Sequence, residues 1–132
     1  MTELFADTFY WLALLNVDDA HHKNVRAADI RGRLIVTQAV QLEVLDAFSS
    51  ERFRPLACNF WEACRDNAEL TVVPLDDALL AKAMELFSNR PDKNWTFTDC
   101  ISFTAMSERG MVDALTGDHH FEQAGFRVLF RA

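Results

Sequence analysis

Short apolar runs that look like buried strands recur along this chain, and each pair of runs is separated by a segment with helical spacing. Leu4-Phe5-Ala6, Arg33-Leu34-Ile35-Val36-Thr37, Leu70-Thr71-Val72-Val73, residues 111–116 and residues 127–130 read as strands. The segment from Thr8 to Leu15 is long and apolar enough to open a buried helix. Residues 18–31 carry Ala20, Val25, Ala28 and Ile30 at the spacing of a surface helix. Helical periodicity returns through Val40, Val44, Leu45, Ala47 and Phe48, and again over 55–68, where Pro55 suits a first turn. Asp76 or Asp77 can cap a helix with Leu79, Leu80, Ala83, Met84 and Phe87 facing inward. A loop from Ser88 to Lys93 precedes a helix over 98–109 that Gly110 ends, and a short helix over 118–124 is closed by Gly125. Strands alternating with helices imply crossover connections and a parallel sheet covered on both faces. The expected fold is α/β: a three-layer sandwich with a central, mainly parallel sheet of about five strands flanked by helices.

With 132 residues there is room for one domain, expected over 1–132. No apolar run approaches the ~18–20 residues of a membrane span, and the acidic start Met1-Thr2-Glu3-Leu4-Phe5-Ala6-Asp7 does not resemble a secretory signal. The three cysteines form no C-x-x-C pair and suit free thiols in a reducing cytoplasm. Twenty acidic against 13 basic residues give a formal charge of −7, which argues against a broad basic face for nucleic acid. Some of those acids could instead gather around a cation.

Open α/β sheets bind ligands outside the carboxyl ends of their strands, so the polar residues at that rim matter most. Asp7 follows the first strand directly, and Asp118 follows the fourth in Thr116-Gly117-Asp118. Either could simply cap a helix. Glu43 lies ~40° around its helix from Ala47, at the border of an apolar arc. Asp99 shares a row with Phe103 and Met106 and also fits a capping box, Thr96-x-x-Asp99. A carboxylate on an inward stripe is costly unless a charge or a metal compensates it. Four carboxylates meeting at one rim would repel and raise one another's pKa, whereas Mg²⁺ or Mn²⁺ would hold them as an oxygen-only site. Such a site suits phosphodiester hydrolysis by an activated water.

These residues also carry a resemblance. Phe5-Ala6-Asp7-Thr8-Phe9-Tyr10-Trp11 followed by His21-His22, then Leu42-Glu43-Val44-Leu45, then Thr96-Phe97-Thr98-Asp99-Cys100-Ile101-Ser102-Phe103, and finally Thr116-Gly117-Asp118-His119-His120-Phe121 resemble, in order, the acidic motifs of PIN-domain proteins. The likeness is closest to VapC-type toxins. It implies a Mg²⁺- or Mn²⁺-dependent endoribonuclease that is usually a homodimer and is inhibited by a small antitoxin protein. By match, Asp7, Glu43, Asp99 and Asp118 are the catalytic and metal-site acids, with Asp7, Asp99 and Asp118 holding the metal and Glu43 completing the shell. Many relatives carry a small hydroxyl residue two positions after the first aspartate. Phe9 stands there in this chain, and Thr8 or Thr116 is expected to supply the hydroxyl instead.

The alternative is a PIN-like RNA- or protein-binding module that does not catalyse. A haloacid-dehalogenase type of phosphotransfer domain would need an Asp at position 9, and a receiver-like domain would need a phosphoacceptor Asp directly after the third strand. Adjacent His pairs, His21-His22 and His119-His120, point ~100° apart on a helix and are poorly placed for zinc. His120 could touch substrate phosphate, as could Arg52, Arg54, Arg90 and Lys93. Phe9, Tyr10 and Trp11 cannot all face inward from one turn, and the aromatic remainder is a possible dimer or antitoxin surface.

Overall fold

A computed structural model describes residues 2–131. Its order is β1 (Glu3–Ala6), α1 (Thr8–Leu15), α2 (His22–Ala27), β2 (Arg33–Thr37), α3 (Gln38–Ala47), α4 (Arg54–Asp66), β3 (Leu70–Val73), α5 (Asp77–Asn89), α6 (Phe97–Glu108), β4 (Asp113–Leu115), α7 (His119–Gln123) and β5 (Arg127–Val128). One five-stranded sheet runs β3-β2-β1-β4-β5, and every pairing in it is parallel. The helices cover this sheet as expected for parallel strands, whose two faces must both be buried. Phe5, Ile35, Val36, Ala114 and Leu115 are fully buried at the centre, with Phe60, Met106 and Phe121 packed from the helices.

The chain leaves β1 for β2 and β3 on one side, then returns to place β4 and β5 on the other. The order therefore reverses between β1 and β4, and the crevice beyond their carboxyl ends is where such sheets take ligands. Asp7 directly follows β1, and Thr116-Gly117-Asp118 follows β4 at the same rim. A bond from the Asp7 amide to the Leu115 carbonyl, at 3.4 Å, joins the two strands there.

Several boundaries differ from the sequence expectation for local reasons. The helix expected over 18–31 shrinks to α2, because side chains bind the backbone of the preceding turn. Asn16 Oδ1 accepts from the Asp18 amide and Asp19 Oδ1 from the His21 amide, which holds this stretch in turns. On α5, Leu79 and Ala83 face inward, but Met84 and Phe87 are exposed. Met84 lies ~100° around the helix from Ala83, too far to share its stripe. Asp76 is the cap of α5 and accepts from the Leu79 amide at 2.9 Å. β4 and β5 are shorter than the apolar runs that predict them, although Leu129 and Phe130 still donate to the Ala114 and Thr116 carbonyls. Among the described residues no helix is long and apolar enough to cross a membrane.

Candidate functional site

Asp7 is buried with its carboxylate pointing at the loop after β4. The Thr116 hydroxyl donates to Asp7 Oδ2 at 2.8 Å, and Thr116 is itself fully buried. The same hydroxyl accepts from the Asp118 amide at 3.1 Å, so Thr116 ties the two strand-end acids together. Threonine fits this position because it suits a strand end and presents one donor and two acceptor lone pairs. The hydroxyl expected near Asp7 therefore comes from Thr116. Thr8 serves a different acid: its hydroxyl donates to Glu43 Oε1 at 2.6 Å.

Glu43 does not lie on an inward stripe as its spacing suggested. It is exposed, as is Ala47 one turn on, while Val40, Gln41 and Val44 take the buried face of α3. Its link to the rim is the contact with Thr8, the residue after Asp7. Asp99 is mostly buried, its side chain 13% exposed. The capping box forms: Thr96 Oγ1 accepts from the Asp99 amide, and Asp99 Oδ2 accepts from the Thr96 amide, each at 3.0 Å. That box does not exhaust Asp99, because Oδ2 also lies 2.9 Å from His120 Nδ1. The same ring nitrogen is 3.6 Å from Asp118 Oδ1, which caps α7 by accepting from the His120 amide at 2.9 Å. His120 thus stands between the acid of α6 and the acid after β4.

These contacts bring the four sequence-predicted acids to one rim. Asp7 and Asp118 share Thr116, Asp118 and Asp99 share His120, and Glu43 reaches the group through Thr8. Burial pushes the Asp7 carboxyl from its ordinary range up to about 7. The Thr116 hydroxyl and the Thr8 backbone N–H pull it back, while the negative charges of Glu43 and Asp99 push it further up. A buried carboxylate flanked by the charges of Glu43 and Asp99 is a setting that a hard divalent cation would relieve.

Other polar residues are placed differently. Asp118, His119 and His120 each bring a donor atom to within 4.8 Å of the others, closer than helical offset alone suggested, but His120 Nδ1 is engaged with Asp99. His22 is held by the Ala13 carbonyl, and His21 lies against Phe9. Three of the cations expected to be available to phosphate have partners within the chain. Arg52 pairs with Asp18, Arg54 binds the Ser49 carbonyl, and Arg90 pairs with Asp92 while lying over the Trp95 ring. Tyr10 and Trp11 are buried and Phe9 is half-buried, so the aromatic turn of α1 is packed more fully than its spacing suggested. All three cysteines are free, with Cys58 exposed and Cys64 and Cys100 buried. Thr116, one of the two hydroxyls expected near Asp7, bonds both strand-end acids, and His120, read in sequence as a possible phosphate contact, instead bridges Asp99 and Asp118.

Comparison with known proteins bears on the fold and the family. The PIN domain profile matches residues 4–127. The 23S rRNA-specific endonuclease VapC20 of Mycobacterium tuberculosis (strain CDC 1551 / Oshkosh) is 27% identical over 124 residues, covering 93% of this chain and 95% of that protein. The crystal structure of Mycobacterium tuberculosis VapC20, a sarcin-ricin loop cleaving toxin, superposes with a TM-score of 0.86 at 25% identity, covering 94% of this chain and 96% of that one. VapBC2 from Rickettsia felis, solved with a DNA fragment from its promoter, shares the fold at a TM-score of 0.70 and 10% identity, covering 97% and 98% of the two chains.

Proposed function

The chain belongs to the PIN domain family, and from that premise we propose that it is a toxin-type endoribonuclease, dependent on Mg²⁺ or Mn²⁺, that hydrolyses RNA phosphodiesters with water. The observation that carries this reading is the linked set of Asp7, Glu43, Asp99 and Asp118 at the β1/β4 crevice, drawn from four separate segments. The similarity to an RNA endonuclease over nearly the whole chain supports it.

Asp7, Asp99 and Asp118 would hold the metal, with Glu43 completing the shell directly or through water. When bound, the cation supplies positive charge that acidifies a water and offsets the charge gathering on the phosphate. The residues of the chain prepare that arrangement. Thr116 holds the Asp7 carboxylate at the crevice through Oδ2. Thr96 and His120 converge on one oxygen of Asp99 and leave its partner oxygen free of the capping box. Thr8 restrains Glu43, which would otherwise swing in solvent. Hydrogen-bonded partners of this kind orient ligands and stiffen a site before the cation arrives. Attack by water leaves 5′-phosphate and 3′-hydroxyl ends.

We further assign a small antitoxin protein as inhibitor and a homodimer as the working state, both supported by the likeness to VapC-type toxins. The test is RNA cleavage with Mg²⁺ or Mn²⁺ and with chelator, comparing wild type with Asp99→Asn. The expected outcome is metal-dependent cleavage that falls at least ~100-fold in the variant, the scale for losing an electrostatic stabiliser of the transition state. Equal activity of the two proteins, or 2′,3′-cyclic phosphate ends, would refute the mechanism. RNA or protein binding that is indifferent to metal, with no cleavage, would establish the non-catalytic module instead.

A further inference from the structure

Beside the acidic rim lies a second concavity of about 430 Å³ that the acids do not enter, lined by Phe9, His21, Asn24, Phe130 and Arg131 among others. Its size falls in the range of small-ligand pockets. Phe9 is half-buried, with its ring centroid 4.8 Å from that of His21 and 6.3 Å from that of Phe130, so the rings form a continuous aromatic wall. His21 and Asn24 are exposed at its edge. Arg131 pairs with Glu122, which leaves the pocket little net charge.

This wall is fastened to the strand-end loop. A Cβ on Gly117 would come within 2.9 Å of two Phe9 ring carbons and 3.0 Å of the Phe130 carbonyl oxygen, so glycine is what lets the ring lie against the loop. The Phe130 amide donates to the Thr116 carbonyl at 3.1 Å. Gly117 sits between Thr116, which holds Asp7, and Asp118. Because Thr116 supplies the hydroxyl for Asp7, position 9 is free to carry a ring.

We propose that this pocket is a nucleobase subsite that receives one unstacked base of the RNA, next to the phosphodiester held at the acidic rim. The inference rests on the endoribonuclease reading and adds to it the part of the substrate that is gripped. Aromatic faces stack on any base, and the Asn24 amide offers both a donor and an acceptor to a base edge. Proteins that read RNA take up unstacked bases in this way. A weakly charged aromatic pocket also suits an acidic protein that cannot rely on a basic surface.

The test is a titration of ¹⁵N-labelled protein in Mg²⁺ with the four nucleoside 5′-monophosphates, using ribose 5-phosphate as the base-free control. The nucleotides should shift the Asn24, Gly117 and Phe130 amides, and ribose 5-phosphate should leave Asn24 and Phe130 in place. Phe9→Ala and the exposed His21→Ala should each weaken the nucleotide about fivefold or more, the scale of one lost stacking contact. Using His21→Ala separates loss of the wall from any damage to α1. Equal shifts from ribose 5-phosphate, or nucleotide shifts confined to other surfaces, would overturn the subsite. Metal-dependent RNA cleavage is read separately. Cleavage without these shifts removes only the subsite, whereas shifts without cleavage overturn the endonuclease reading and the pocket's place in it.

Discussion

Asp7 concentrates the physical tension of this molecule in one side chain. Its folded pKa of about 7 lies above the ordinary value near ~3.9 of an unfolded chain. The folded state therefore binds more protons than the unfolded state between those two values, and stability must fall as pH rises through that window. The full penalty, on the order of a few kcal/mol, is reached above about pH 7. In chelator, Asp7→Asn should flatten the stability profile between pH 5 and pH 8 and melt above wild type at the upper end. Parallel profiles for the two proteins would show that Asp7 is not a strained acid. Asn can still accept from Thr116, so the comparison isolates the charge. Asp7 was legible in the sequence because a strand-end position needs only local reading. Thr116 was legible only as one of two candidate hydroxyls: its bond to Asp7 spans 109 positions, and choosing it over Thr8 depends on β4 lying beside β1, which no local pattern encodes.

At the scale of single elements, α6 does two jobs with the same first turn. Thr96 and Asp99 close a capping box, and Asp99 also meets His120 of α7. The two jobs can be separated. Thr96→Ala removes the hydroxyl that caps the Asp99 amide but keeps the backbone N–H that Asp99 itself accepts from. The variant should lose about 1 kcal/mol in denaturant unfolding while its Mn²⁺ midpoint stays within about twofold of wild type. His120→Ala should do the reverse, weakening the Mn²⁺ midpoint about fivefold or more with a smaller change in stability, because one charge-assisted contact to Asp99 is lost. A Mn²⁺ midpoint that follows the cap and ignores His120 would return Asp99 to a purely structural role. Caps of this kind were readable in sequence, since Asp76 and Thr96 both act where their spacing placed them. The exposure of Glu43 and Phe87 was not, because helical spacing gives a residue's angle and not which neighbour covers it.

For the whole molecule, the balance of 20 acidic and 13 basic residues sets a background of self-repulsion on which the rim is superimposed. Sodium chloride should stabilise the chelated protein slightly by screening that background. Mn²⁺ at matched ionic strength should raise Tm by several degrees more, through binding to the folded state alone. Asp7→Asn should abolish only the Mn²⁺-specific part. If both salts act alike on both proteins, the acids form no cation site. The alternation of strands and helices was enough to read the sheet and its parallel sense, because burial of both faces leaves few other arrangements. Which strand neighbours which was beyond it, and that neighbourhood is what unites Asp7 with Thr116 and Asp118.

That strand order has a consequence for synthesis. The place beside β1 stays open while β2, β3, α5 and α6 leave the ribosome, and it is filled only when β4 arrives. A nascent chain halted before β4 has a bare β1 edge, and Asp7 lacks the Thr116 hydroxyl that holds it. The crevice exists only once β4 and the Thr116–Asp118 loop have been made, so a copy interrupted before them is inert, and making the protein is separated in time from arming it.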